Sequence, residues 1–145
     1  MKICDLIVKV RHVGVIVADV KASTELYRKL YDIDEQDVRV VPPWDVADAE
    51  TRFTFVPVGG MEFELIEPIS ENFKTFIGNP PTGINHIAFI VTDLNKAVEL
   101  MAQKGVRLGH VTKNGILDMK RSKVAYFNPQ DTGGVLLEFV EPVED

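Results

Sequence analysis

VRHVGVIVADVKASTEL, Val10 to Leu26, and INHIAFIVTDLNKAVEL, Ile84 to Leu100, are two copies of one pattern. Laid over each other at a separation of 74 positions, His12 falls on His86, Asp19 on Asp93, Glu25 on Glu99 and Leu26 on Leu100. The same separation carries Gly59-Gly60 onto Gly133-Gly134, and Glu64-Leu65-Ile66-Glu67-Pro68 onto Glu138-Phe139-Val140-Glu141-Pro142. Both ends of the unit stay in register without a gap, so the chain is a tandem duplication.

Each copy predicts the same elements. Val8 to Val17 and Ile84 to Thr92 are rich in β-branched residues and predict buried strands. Asp19 and Asp93 stand where helix N-caps belong. The first helix should bury a stripe of Ala22, Leu26 and Leu30. The second should bury Leu94, Ala97 or Val98, and Met101, and end at Gly105. Arg52 to Val58, Met61 to Glu67, Val124 to Phe127 and Val135 to Glu141 follow as strands, with Gly-Gly turns before the last strand of each copy. A strand at Val38 to Val41, and its counterpart near Gly109 to Thr112, would complete a βαβββ unit. The expected organisation is one domain, 1–145, made of module 8–68, linker 69–83 and module 84–142. The polar stretch from Tyr31 to Glu50, with Pro42-Pro43-Trp44, reads as a lid or cleft wall. Ser70 to Gly83 reads as a linker carrying one short helix.

Composition narrows the function classes. The 145 residues are 46% hydrophobic, and 16 basic against 22 acidic side chains give a net charge of −6. Such an acidic chain is unsuited to binding nucleic acid, where phosphate neutralisation dominates. The lone cysteine, Cys4, permits neither an internal disulfide nor a cysteine zinc cage. No apolar run approaches the roughly 20 residues of a membrane span, and the first residues lack signal-peptide character, so a cytoplasmic protein is expected.

Four polar residues interrupt the apolar strands: His12, Glu64, His86 and Glu138. Side chains alternate along a strand, so each should share a face with apolar neighbours. A carboxylate there costs several kcal/mol unless paired or coordinated. The two histidines and the two glutamates each lie 74 positions apart. A structural His–Glu pair preserved by duplication would account for this, but two imidazoles and two carboxylates also suit one divalent ion: Zn²⁺, Ni²⁺, Co²⁺, Mn²⁺ or Fe²⁺. The metal site is the favoured expectation. His110 has no repeat partner and is expected to be exposed and idle. The basic run Lys120, Arg121 and Lys123 is either a solvated loop or a place for a substrate phosphate.

A duplicated βαβββ unit with His on its first strand and Glu on its last resembles the vicinal oxygen chelate, or glyoxalase-like, superfamily. The resemblance runs from Val10 to Pro142. Within it, Gly83-Ile84-Asn85-His86-Ile87-Ala88-Phe89 and Asn128-Pro129-Gln130-Asp131-Thr132-Gly133-Gly134-Val135-Leu136-Leu137-Glu138 are most similar to the methylmalonyl-CoA epimerases. This implies an α+β fold in which the curved sheets of two tandem modules form one metal-binding cleft. It also implies the ligand set His12, Glu64, His86 and Glu138, an acyl-CoA thioester substrate, a homodimer, and α-proton transfer through a metal-stabilised enolate. Glu138 is then one proton-transfer group and Asp48 the opposite one, with Glu50 the near alternative. Two further activities share the resemblance: a glyoxalase I-type lactoylglutathione lyase, and a metal-free small-molecule binder. An extradiol dioxygenase fits less well, because Glu64 as fourth ligand would fill the room that oxygen needs.

Overall fold

The repeat becomes two compact units in the computed structural model, which describes residues 1–143. The chain runs through β1 (Ile7–Ile16), α1 (Val20–Tyr31), β2 (Arg39–Val41), β3 (Thr51–Val58), β4 (Met61–Pro68) and α2 (Glu71–Phe76). It continues through β5 (Gly83–Val91), α3 (Leu94–Gln103), β6 (Leu117–Asp118), β7 (Ser122–Phe127) and β8 (Leu136–Pro142). The class is α+β, as expected, and α2 is the short helix foreseen in the linker. No helix among the described residues is long and apolar enough to cross a membrane.

One unit spans His12–Asn85. Its strands lie in the order β2-β3-β4-β1, with β1 parallel to β4 and the other neighbours antiparallel. Asp19 caps α1 by accepting a hydrogen bond from the Ala22 amide at 3.0 Å. The buried face of this helix is not the one its leucines suggest: Leu26 and Leu30 are more than half exposed, and Ala22 is exposed too. Val20, Thr24 and Tyr27 face inward instead, toward Val15, Val56 and Leu65. The physical reason is a hydroxyl pair. Thr24 Oγ1 donates to the Val20 carbonyl and lies 2.8 Å from Thr54 Oγ1, so both polar side chains are buried with partners.

The second unit comprises Met1–Arg11 and the chain from His86 onward. The strand order is β5-β8-β7-β6, with β5 parallel to β8 and the rest antiparallel. Leu94, Ala97 and Met101 form the buried stripe of α3, as the spacing predicts, and Asp93 accepts from the Lys96 amide at 3.0 Å. Gly105 follows the helix at φ 81°, the left-handed backbone that a helix stop requires. Leu6 is buried with Val91, Leu94, Ala97, Met101, Phe127 and Phe139, and its carbonyl accepts from the Thr92 amide. The outer strand of this unit is β6, at Leu117–Asp118. The stretch His110–Thr112, close to where a strand was expected, is a 3₁₀ turn.

The duplication extends to hydrogen-bond register. Gly14 lies opposite Glu64 on the β1–β4 ladder, and Ala88 opposite Glu138 on the β5–β8 ladder. Glu67 Oε1 accepts from the Val20 amide at 2.9 Å, and Glu141 Oε1 from the Leu94 amide at 2.7 Å. These two carboxylates satisfy orphan donors at helix N-termini, where negative charge is favoured. The antiparallel neighbours break the symmetry. Phe55 is the partner of Glu64, but Tyr126, not residue 129, is the partner of Glu138. Strand β7 is therefore displaced by three residues from the repeat, and the longer connection before β8 absorbs the difference.

Candidate functional site

Each unit builds one buried His–Glu pair in the same way. On β1 the His12 side chain stands two residues before Gly14, and Glu64 lies opposite that glycine. His12 Nε2 is 3.4 Å from Glu64 Oε1. On β5 the small residue is Ala88, wholly buried, and His86 Nε2 is 3.3 Å from Glu138 Oε1. His12, His86 and Glu138 are all less than a tenth exposed, and Glu64 is only slightly more accessible.

That spacing fits a shared cation. Two donor atoms each about 2.1 Å from one ion, subtending about 90–110°, stand roughly 3.0–3.4 Å apart. Imidazole nitrogen and carboxylate oxygen are also the donors that borderline first-row divalent metals take. Each pair can therefore present two adjacent ligands without a change of backbone.

Around the pairs stand aromatic rings that the repeat did not announce. The guanidinium of Arg39 lies 4.2 Å from the Phe55 ring centroid, and Arg39 Nη2 is 3.0 Å from Glu62 Oε1. In the other unit Tyr126 meets His86 edge-on at 5.5 Å and His110 edge-on at 5.0 Å. His110 is thus half-buried and packed, where an exposed residue was expected. Tyr126 was missed because it lies where the repeat offset fails, and the packing of His110 was missed because that residue has no repeat partner. The available signal was the alternation of Val124 and Tyr126, which places Tyr126 on one face of its strand.

Asp48 is exposed in the β2–β3 connection at φ 57°. Arg52 holds that connection by donating to the carbonyls of Pro42, Pro43 and Val46, and Trp44 lies over both Arg52 and Lys21. Trp44 therefore anchors its loop. Glu50 Oε1 accepts from Ser70 Oγ, and its carbonyl accepts from the Ile69 and Ser70 amides. Lys120 and Arg121 are exposed in the β6–β7 turn. Lys123 is half-buried on β7, on the face opposite Tyr126.

The profile of the Glyoxalase/Bleomycin resistance protein/Dioxygenase superfamily matches residues 11–127, most of the chain. The chain belongs to this superfamily. Among glyoxalase-superfamily relatives, the ethylmalonyl-CoA/methylmalonyl-CoA epimerase of Cereibacter sphaeroides is 27% identical over 137 residues, covering 92% of this chain and 97% of the relative. The mitochondrial methylmalonyl-CoA epimerase of Dictyostelium discoideum is 26% identical over 136 residues, covering 92% and 78%. The crystal structure of methylmalonyl-CoA epimerase from Mycobacterium tuberculosis superposes with a TM-score of 0.72 at 27% identity, covering 96% of this chain and 91% of that one.

His110 also carries an electrostatic signature. Burial pushes its pKa below the ordinary 6.5, His86 adds to this, and Glu138 pulls the other way. The neutral imidazole is the form the fold favours. Its contribution to stability is present above the unfolded-state value and is lost as the pH falls below it. Ring-proton NMR should place the His110 midpoint below 6.5, and a divalent ion bound near His86 should lower it further. A midpoint above 6.5 would contradict this environment.

Proposed function

We propose that the protein is a divalent-metal-dependent epimerase of acyl-CoA thioesters, with His12, Glu64, His86 and Glu138 serving one ion. The observation that carries the reading is the pair of His–Glu couples at the same register in both units, each at the spacing of adjacent metal ligands. Further support comes from His12, Glu64 and His86, each of which offers a donor atom suited to a metal, and from relatives named as methylmalonyl-CoA epimerases. A bound ion would supply positive charge to the carbonyl oxygen beside the C–H bond that ionises.

The chain's own groups then move the proton. Glu138 takes the α-proton on one face of the planar carbanion and can return it there. Inversion needs a second group on the opposite face, and Asp48 is assigned that role. Glu50 is the poorer candidate because Ser70 engages its carboxylate. The walls around His86 and Glu138 are buried and keep bulk water from the carboxylate. Lys120, Arg121 and Lys123 remain candidates for the phosphates of CoA, and a homodimer in the cytoplasm is the expected setting.

The test is α-proton exchange and inversion of methylmalonyl-CoA in D₂O with Co²⁺ or Mn²⁺. Asp48→Asn should leave metal content unchanged and cut epimerisation by about a hundredfold or more. Exchange should survive from one stereoisomer only, because the Glu138 face stays competent. Equal loss from both stereoisomers, or none, would remove Asp48 from the mechanism and make Glu50→Gln the next variant. Turnover of a glutathione thiohemiacetal instead of methylmalonyl-CoA would move the protein to the lactoylglutathione lyase reading. A protein that purifies without metal and takes up none would be a binder.

A further inference from the structure

His110 takes no part in the ligand set or in the proton transfer assigned above, yet the fold goes to some length to hold it. It opens the 3₁₀ turn His110–Thr112 with φ 51°, a left-handed conformation that a ring-bearing residue seldom adopts. Glycine or asparagine would sit there with less strain.

The turn is clamped on both sides of that residue. Gly109 donates to the Tyr126 carbonyl at 2.9 Å. Buried Thr112 donates through Oγ1 to the same carbonyl at 2.9 Å, and its Oγ1 accepts from the Tyr126 amide at 2.7 Å. Gly109 itself passes so close to Asn128 that a Cβ would lie 2.7 Å from the Asn128 Cα, so the turn cannot shift outward with a larger residue. The result is an imidazole locked against the Tyr126 ring, the same ring that His86 touches, on the strand position that pairs with Glu138.

We propose that His110 is a substrate-contacting residue whose imidazole N–H donates a hydrogen bond to the free carboxylate of a 2-carboxyacyl thioester. The proposal rests on the epimerase reading of the same site. The His110 ring meets the Tyr126 ring that also meets His86, and Tyr126 pairs with Glu138, so on the epimerase reading His110 faces the acyl end of the substrate, where the reacting carbon lies. A lysine or arginine there would be repelled by a divalent ion. A neutral imidazole donates to an anion without that penalty. The contact would distinguish acyl groups that carry a carboxylate from those that do not.

The test compares His110→Gly and His110→Asn with the unaltered metal-loaded protein. Glycine removes the donor and relieves the backbone. Asparagine keeps a donor and tolerates the left-handed conformation. A hydrogen bond to a charged group supports an expected drop of about ten- to a hundredfold in kcat/KM for methylmalonyl-CoA with His110→Gly. Metal content and inhibition by free CoA should be unchanged, and His110→Asn should recover most of the loss. A kcat/KM for His110→Gly within twofold of the parent would overturn the proposal. So would equal weakening of free CoA binding, or an asparagine variant as impaired as the glycine one. Absence of methylmalonyl-CoA turnover by the unaltered protein, seen before any substitution, would overturn the epimerase reading and this proposal with it.

Discussion

Glu138→Gln should abolish turnover while leaving the protein folded and partly able to hold metal. Glutamine matches glutamate in shape, so the packing around a residue only 4% exposed is kept. Its amide oxygen still coordinates, though more weakly than a carboxylate. What it lacks is a basic site, since an amide accepts no proton near neutral pH. General acid–base groups contribute roughly 10²- to 10⁴-fold, and the fall in kcat should lie in that range. The control is Glu64→Gln, the counterpart at the same position of the other module. It should weaken metal binding to a similar degree but leave turnover measurable once metal is supplied in excess. Metal content and α-proton exchange, measured on both variants, check the pair of outcomes. A Glu138→Gln protein with more than a tenth of the parent activity would reassign the proton to another group.

The second large effect is thermal. An ion that binds only the folded chain, at a thousandfold excess over its dissociation constant, stabilises by about 4 kcal/mol. For a chain of this size that corresponds to a rise in Tm of about 10 °C. Titration with Co²⁺, Mn²⁺, Ni²⁺ and Zn²⁺ should raise Tm in a concentration-dependent way, and a chelator should reverse it. The response should fade under acidic conditions, because imidazole coordinates only when neutral. His86→Ala should remove the response and also lower the baseline. Truncation takes from the buried Glu138 carboxylate the imidazole 3.3 Å away, a loss of about 1–3 kcal/mol. No Tm response to any of the four ions would refute a metal site made from these residues.

The parts of the molecule legible in the sequence are those that duplication kept in step. His12, Glu64, His86 and Glu138 stood out because strands β1, β4, β5 and β8 share one offset, and the structure places each imidazole beside its own module's carboxylate. The helix caps at Asp19 and Asp93 were equally plain, since an N-cap is a local signal. Hydropathy misled on α1. It counted Ala22, Leu26 and Leu30 as core, whereas Thr24, in hydroxyl contact with Thr54, is the buried residue. Strand β6 is two residues long and carries no periodicity to detect. Tyr126 escaped because β7 slipped by three residues against its counterpart, which took it out of any repeat-based comparison.

The course of the first eleven residues bears on how the chain is made. Met1–Arg11 pack in the unit that begins again only at His86, with Leu6 in its core. During synthesis Leu6 emerges well before its partners on α3, β7 and β8 are translated. The unit built from His12–Asn85 has all its own strands available long before that. In vectorial synthesis the His12–Asn85 unit is therefore expected to be complete before Leu6 meets the strands it packs against. A bulky fusion ahead of Met1 would burden that late step and leave the middle unit untouched.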